Sequence, residues 1–206
     1  MDMIKPLRSL GLLIFWIGCV LIYGCGEMGK VDQGRVIEYN KEKRTVTIIR
    51  DSAKKQGSTD YSVLPPVTYD LPTEWAEMGP EPKPGMRMKL DTDKHQVVIF
   101  VPTLQNFATI NYTVVEQRDN VQSSDPALID PQTKKTKQFP IFDKGKKTIT
   151  LYSKRQKILT TFQVPDEYFA LPEYVWDAGD EVRIYYKEEG KARRFMNITK
   201  TDIFKK

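Results

Sequence analysis

Tyr39-Asn40-Lys41-Glu42-Lys43-Arg44-Thr45-Val46-Thr47-Ile48 is matched by Phe142-Asp143-Lys144-Gly145-Lys146-Lys147-Thr148-Ile149-Thr150-Leu151 at a constant offset of 103 residues. Each stretch reads as a hairpin tip followed by a strand. Asn or Asp opens the turn, because its side-chain oxygen can accept from a nearby backbone N–H, and the β-branched run behind it alternates with the period of a pleated strand. The likeness continues outward. Tyr69-Asp70-Leu71-Pro72 pairs with Phe169-Ala170-Leu171-Pro172 at an offset of 100, and each is followed by a tryptophan, Trp75 or Trp176. Gly85-Met86-Arg87-Met88-Lys89-Leu90 then pairs with Gly179-Asp180-Glu181-Val182-Arg183-Ile184 at an offset of 94. The offset falls because the first copy carries extra residues, most visibly Gly79-Pro80-Glu81-Pro82-Lys83-Pro84. Self-similarity on this scale marks a duplicated unit of about 65 residues, a size at which a small domain can still hold a core.

Alternation and β-branched enrichment place strands at 34–39, 45–50, 61–64, 86–90, 96–101, 108–115, 147–152, 158–164, 182–186 and 193–198. Helical turns are expected only around Thr73–Glu77 and Asp166–Ala170, both too short to carry a helical core. The fold class that follows is all-β, with two tandem small barrel modules of the OB or SH3-like kind produced by internal duplication. The expected divisions are a leader over 1–24, a tether over 25–33, a first barrel module over 34–116, a linker over 117–138 and a second barrel module over 139–206.

The leader is read from Lys5 and Arg8, the apolar run Leu10–Tyr23, and Ile22-Tyr23-Gly24-Cys25. A short positive segment, a brief apolar core and a small residue before the cut describe a secretory signal peptide. Cys25 resembles the cysteine of a lipobox, with Ile22 in the branched position and Gly24 in the small one; Tyr23 departs from the pattern. The alternative is an uncleaved anchor, although the run falls short of the ~20 residues a spanning helix needs. Cleavage at Cys19 would leave Val20-Leu21-Ile22-Tyr23 at the mature N-terminus, so Cys25 is the expected lipidation site. Either way the chain is held at a membrane and faces the periplasm. Gly26 after the cysteine, in place of aspartate, favours the outer membrane over the inner one.

The chemistry-bearing residues are sparse. There are two cysteines and one histidine, so disulfides, haem attachment and zinc sites of the Cys/His kind have no ligand set within residues 26–206. His95 lies in the polar tip Asp91-Thr92-Asp93-Lys94-His95 and reads as a turn residue. With 32 Lys and Arg against 27 Asp and Glu, the net charge of +5 is a mild excess, interleaved with acids, and no nucleic-acid partner is expected. The carboxylates at Asp166-Glu167, Glu173 and Asp177…Asp180-Glu181 could serve a hydrolase or hold a hard cation, yet the spacing of an EF-hand loop is missing and turn duty explains them. No catalytic residue, metal or cofactor is assigned.

The aromatic residues carry the binding hypothesis. Barrels of the OB type use exposed rings as stacking platforms, and Trp75, Tyr168, Tyr174 and Trp176 cluster beside the two Leu-Pro turns. The competing explanation is that a tryptophan from the connecting segment plugs the end of each barrel.

The stretches Cys25-Gly26-Glu27-Met28-Gly29-Lys30-Val31-Asp32-Gln33-Gly34-Arg35-Val36, Tyr61-Ser62-Val63-Leu64-Pro65-Pro66 and Phe195-Met196-Asn197-Ile198-Thr199-Lys200-Thr201-Asp202-Ile203-Phe204 resemble an uncharacterised lipoprotein family of sulfate-reducing bacteria. That resemblance spans nearly the whole chain. It implies an envelope lipoprotein and supplies no catalytic residues. The expected function is a membrane-anchored, non-enzymatic binding or scaffolding module for an envelope protein partner, offering strand edges or its Leu-Pro face. The alternative is a lipoprotein that binds a glycan or small ligand through the aromatics near Trp75 and Trp176.

Overall fold

The computed structural model describes residues 28–55 and 58–201; Trp16, Cys19, Cys25 and the leader over 1–24 lie outside them. Contacts divide the chain into Met1–Lys30 and Val31–Lys206. The strands lie in the second unit, apart from Lys30 at the start of the first strand. They are β1 (Lys30–Asn40), β2 (Thr45–Arg50), β3 (Val67–Asp70), β4 (Arg87–Asp91), β5 (Gln96–Val101) and β6 (Asn106–Asn111). They continue as β7 (Thr113–Arg118), β8 (Ile141–Asp143), β9 (Thr148–Ser153), β10 (Ile158–Gln163), β11 (Glu181–Glu188) and β12 (Lys191–Asn197). Among the described residues no helix is long and apolar enough to cross a membrane.

One turn design recurs at four hairpin tips. The opening residue accepts through its side chain from the N–H three positions on: Lys43 to Asn40 at 2.8 Å, Lys94 to Asp91 at 3.0 Å, Lys146 to Asp143 at 3.0 Å and Gln156 to Ser153 at 3.3 Å. The residue after that donor is left-handed in each case, Arg44 (φ 53), His95 (φ 53), Lys147 (φ 51) and Lys157 (φ 56). A turn followed by a left-handed residue matches the twist of the strands it joins. The two hairpins quoted from the sequence also share a register. Tyr39 faces Val46 and Asn40 faces Thr45, as Phe142 faces Ile149 and Asp143 faces Thr148. Thr47 and Thr68 bond across β2 and β3 at 2.9 Å, as Thr150 and Thr161 do across β9 and β10.

Closure of the sheets departs from the expected tandem arrangement. A closed five-strand barrel has the order β1-β11-β12-β3-β2, so its last two strands come from 181–197 and it does not close within 34–116. The remaining strands form a four-stranded sheet, β7-β10-β9-β8, and a three-stranded sheet, β4-β5-β6. Val36, Val46, Ile48, Tyr69, Val182 and Ile184 fill the barrel. The second core gathers Met88 and Leu90 of β4 with Ile149 and Leu151 of β9, and Phe162 and Trp176 join them. The hairpin β11–β12 thus completes the barrel with β1–β2, while β4–β5 packs against β9.

The chain crosses between the two cores at two glycines, Gly85 and Gly179. A Cβ on Gly85 would lie inside contact distance of the Gly179 amide and the Asp177 carbonyl; one on Gly179 would strike the Val36 carbonyl, and Gly179 itself has φ +68. Val36 sits at the crossing. Its carbonyl accepts from Gly85 N–H at 3.0 Å while its own N–H donates to Asp180 at 3.0 Å. A register shift between Val36 and Glu38 makes Ile37 a bulge, which lets Val36 face the barrel and Ile37 the second core.

Two strand expectations are corrected. Tyr61–Leu64 forms no ladder; the third barrel strand is Val67–Asp70, where the free side of β2 offers partners from Thr45 to Ile48 and the N–H-less Pro65-Pro66 lies behind it. The strand expected over 108–115 breaks at Tyr112, because β6 pairs with β5 and β7 leaves for β10. Tyr112 is buried at that corner with its ring 4.4 Å from Phe162. Beyond β7, Val121 and Leu128 are buried, and Tyr152 donates to the Val121 carbonyl at 3.0 Å.

Candidate functional site

The four candidate aromatics are not brought together. Trp176 is fully buried, its ring 6.2 Å from Phe162, and it plugs the second core. Tyr168 is half-buried against the same core. Tyr174 is exposed, on a groove shared with Ile37, Tyr39, Phe100 and Pro102. Trp75, aligned with Trp176 by the repeat, is 89% exposed. The reading of tryptophan as a plug therefore fits one copy and not the other. In the first copy Leu71 and Pro72 are buried instead, and the carbonyl of Pro72 accepts from the Arg44 guanidinium.

Trp75 begins a 3-10 turn, Trp75–Glu77, that lies against β12. Beside it is the seam of the barrel. β12 and β3 meet at a single parallel pair, Lys191 with Asp70, reinforced by Asp70 N–H donating to the Gly190 carbonyl at 2.7 Å. Further on, Met78 bridges Phe195 and Gly79 N–H donates to the Phe195 carbonyl at 2.9 Å. Between those points Ala192–Arg194 has no strand partner on that side among the described residues. An open groove of ≈ 900 Å³ occupies this gap, floored by Leu71, Pro72, Tyr185 and Ala192.

Charges on the groove are mostly paired. Arg194 donates to Glu77 from Nε at 2.5 Å and from Nη2 at 2.9 Å, and this fork holds the Glu77 carboxyl below its ordinary range while raising Arg194. Lys191 pairs with Glu188 at 2.7 Å. An exposed indole beside a polar-rimmed apolar floor suits an extended, weakly charged segment or a sugar ring.

Three of the carboxylates read as possible acid and base groups have ion-pair or hydrogen-bond partners. Asp166 pairs with Lys147 at 2.8 Å and Asp177 with Lys83. Asp180 accepts from Asn197 at 2.8 Å and pairs with Lys200 at 3.3 Å. His95 is exposed at its hairpin tip, its ring 5.7 Å from Tyr112. Sequence reasoning missed the seam, since an unpaired stretch of β12 is visible only once its neighbours are known. It also missed a set of arginines, Arg35, Arg87 and Arg155, that face one groove; isolated in sequence, they show no cluster there.

Searches against curated proteins and against solved structures return no match. A family model matches residues 27–206, which takes in every described strand. On that match the chain belongs to the family described as a domain of unknown function, DUF4881.

Proposed function

We propose that this protein is a lipid-anchored envelope lipoprotein acting as a non-enzymatic scaffold, and that it docks an extended segment of an envelope protein in the seam beside Trp75. The observation that carries the docking is the exposed Trp75 standing where Ala192–Arg194, paired with β11 on one side, has no strand partner on the other among the described residues. An unpaired strand edge offers backbone hydrogen bonds to an added strand, and an exposed indole offers a large rigid contact. The groove carries acids and bases in near balance, Asp70, Glu74, Glu77 and Glu188 against Lys191, Arg193 and Arg194, which suits a weakly charged segment. Anchoring rests on Lys5, Arg8, the apolar run to Tyr23, and lipid on Cys25, with the chain facing the periplasm.

The matching turns and registers of the two opening hairpins support a duplicated OB or SH3-like unit. In that reading the copies exchange closing hairpins, so neither barrel is complete without the other repeat.

A photo-crosslinking residue placed at Thr73 in intact cells, with mass spectrometry of the adducts, tests the docking; the same residue at Lys144 is the control. One protein captured from position 73 only, and lost with Trp75→Ala, supports the proposal. Absence of any adduct particular to position 73 overturns the docking, and an unacylated N-terminal peptide overturns the anchor. The exposed indole also favours a second reading, glycan binding. It expects a saccharide-induced change in tryptophan fluorescence that Trp75→Ala removes; Trp176, being buried, is not the residue to probe.

A further inference from the structure

A second groove, of ≈ 530 Å³, shares no residue with the Trp75 seam. Three guanidinium groups line it. Arg35 donates from Nε to the Tyr61 hydroxyl at 2.9 Å and from Nη1 to the Ala178 carbonyl at 3.1 Å, and its guanidinium carbon lies 5.3 Å from the Tyr61 ring centroid. Arg87 donates from Nε to the Trp176 carbonyl at 2.9 Å. Both are therefore held by one short segment, Trp176–Gly179, and by neutral acceptors. Arg155, exposed on the β9–β10 tip, reaches Thr59 Oγ1 at 3.5 Å across the groove.

Among the described residues none of these arginines pairs with a carboxylate. Asp177, the acid nearest in effect to Arg87, is engaged by Lys83. Lys89 adds a fourth cation, bonded to Asp91 at 2.9 Å. Asp60 is the one acid on the lining, and its oxygens accept from Ser52 Oγ at 2.9 Å and Ser62 N–H at 3.0 Å. Lost water and the neighbouring Arg35 push Arg87 down to about 10, so its charge is held there against opposition. Three arginines against the single lining acid Asp60 leave an excess of positive charge that an entering anion relieves, and guanidinium forks match oxyanion geometry. Hydroxyls from Ser62 and Ser153 supply further donors. Four cations and several hydroxyls exceed what one carboxylate can accept.

We infer that this groove binds a multiply charged oxyanion, a phosphate or sulfate group, with Arg35, Arg87 and Arg155 as its principal donors. Its apolar wall, Met88, Leu90, Val98 and Phe107, leaves room for the organic part of a ligand that carries the anion.

The test uses the full chain in detergent micelles, titrated calorimetrically with sodium phosphate and sodium sulfate against sodium chloride and sodium acetate at matched ionic strength. Saturable phosphate or sulfate binding is expected, weakened about tenfold or more by Arg155→Ala, whose exposed position leaves folding intact, and by Arg87→Lys, which keeps the charge and loses the fork. Binding no stronger than that of chloride overturns the inference. So does acetate binding as tight as phosphate, or affinity unchanged in both variants. Glycerol 3-phosphate, a phosphomonoester that keeps the double charge, separates the sources: competition with phosphate assigns a phosphomonoester headgroup, and failure to compete assigns the free ion, with the oxyanion chemistry upheld in both cases.

Discussion

At the scale of single residues, the crossing glycines, Trp75 and Trp176 carry the sharpest expectations. Gly179 combines positive φ with a backbone carbonyl where a Cβ would go. Gly179→Ala should therefore cost about 2 kcal/mol or more, read as a lowered midpoint in urea unfolding. Gly145→Ala, whose Cβ would meet only Asp143 Oδ1 at 3.4 Å, should stay within about 0.5 kcal/mol. Trp176→Ala empties the middle of the second core and should cost about 3–5 kcal/mol. Trp75→Ala exchanges an exposed ring and should leave thermal stability nearly unchanged; a large loss there would mean that Trp75 supports the fold.

Tyr112 gives a pH-dependent prediction. Burial, followed by the nearby Asp91 and Asp93, pushes its hydroxyl up to about 12 from an ordinary 10.0. A group that resists ionisation in the folded state contributes stability that is fully present below its unfolded value and is lost as pH rises through the folded one. Denaturant midpoints should therefore fall between about pH 10 and 12, and Tyr112→Phe should flatten part of that fall. An unchanged profile in the variant would remove Tyr112 from the account.

At the scale of elements, the decisive feature is where each closing hairpin goes. The opening strands β1, β2 and β3 and the opening strands β8, β9 and β10 are both antiparallel meanders with the same tip chemistry, and their core positions correspond. Each needs a further hairpin to cover its apolar face. Because β11 and β12 supply the barrel, residues 28–116 expressed alone should lack it and give a poorly dispersed amide spectrum. A well-dispersed, monomeric spectrum from that fragment would show that β4–β5 can close the barrel at home. The turns were legible from Asn40, Asp91 and Asp143, whose side chains act within three residues. The third barrel strand was not, because Tyr61–Leu64 alternates as well as Val67–Asp70 does and only the edge of β2 selects between them.

At the scale of the whole molecule, the β1–β2 hairpin serves two cores. Val36 and Ile48 enter the barrel, while Ile37 and Ile49 enter the second core. With closing hairpins crossing in both directions, neither core can be lost while the other stands. Thermal unfolding of the full chain should thus show one transition, with tryptophan fluorescence and far-ultraviolet dichroism superimposed. Two separated transitions would mean that the cores are energetically independent.

The amino-acid sequence alone determined what depends on near neighbours: most strands, through their two-residue period, and the tip turns. Only the tertiary structure decided which hairpin closes which sheet, why Trp176 is buried and Trp75 is not, and that Arg35, Arg87 and Arg155 share a groove. The reason is physical. Strand pairing joins residues far apart in the chain through backbone hydrogen bonds that are nearly the same for any strand. Backbone pairing alone therefore does not select the closing hairpin, and the choice rests on the crossing at Gly85, Gly179 and Val36 and on the packing of the assembled cores.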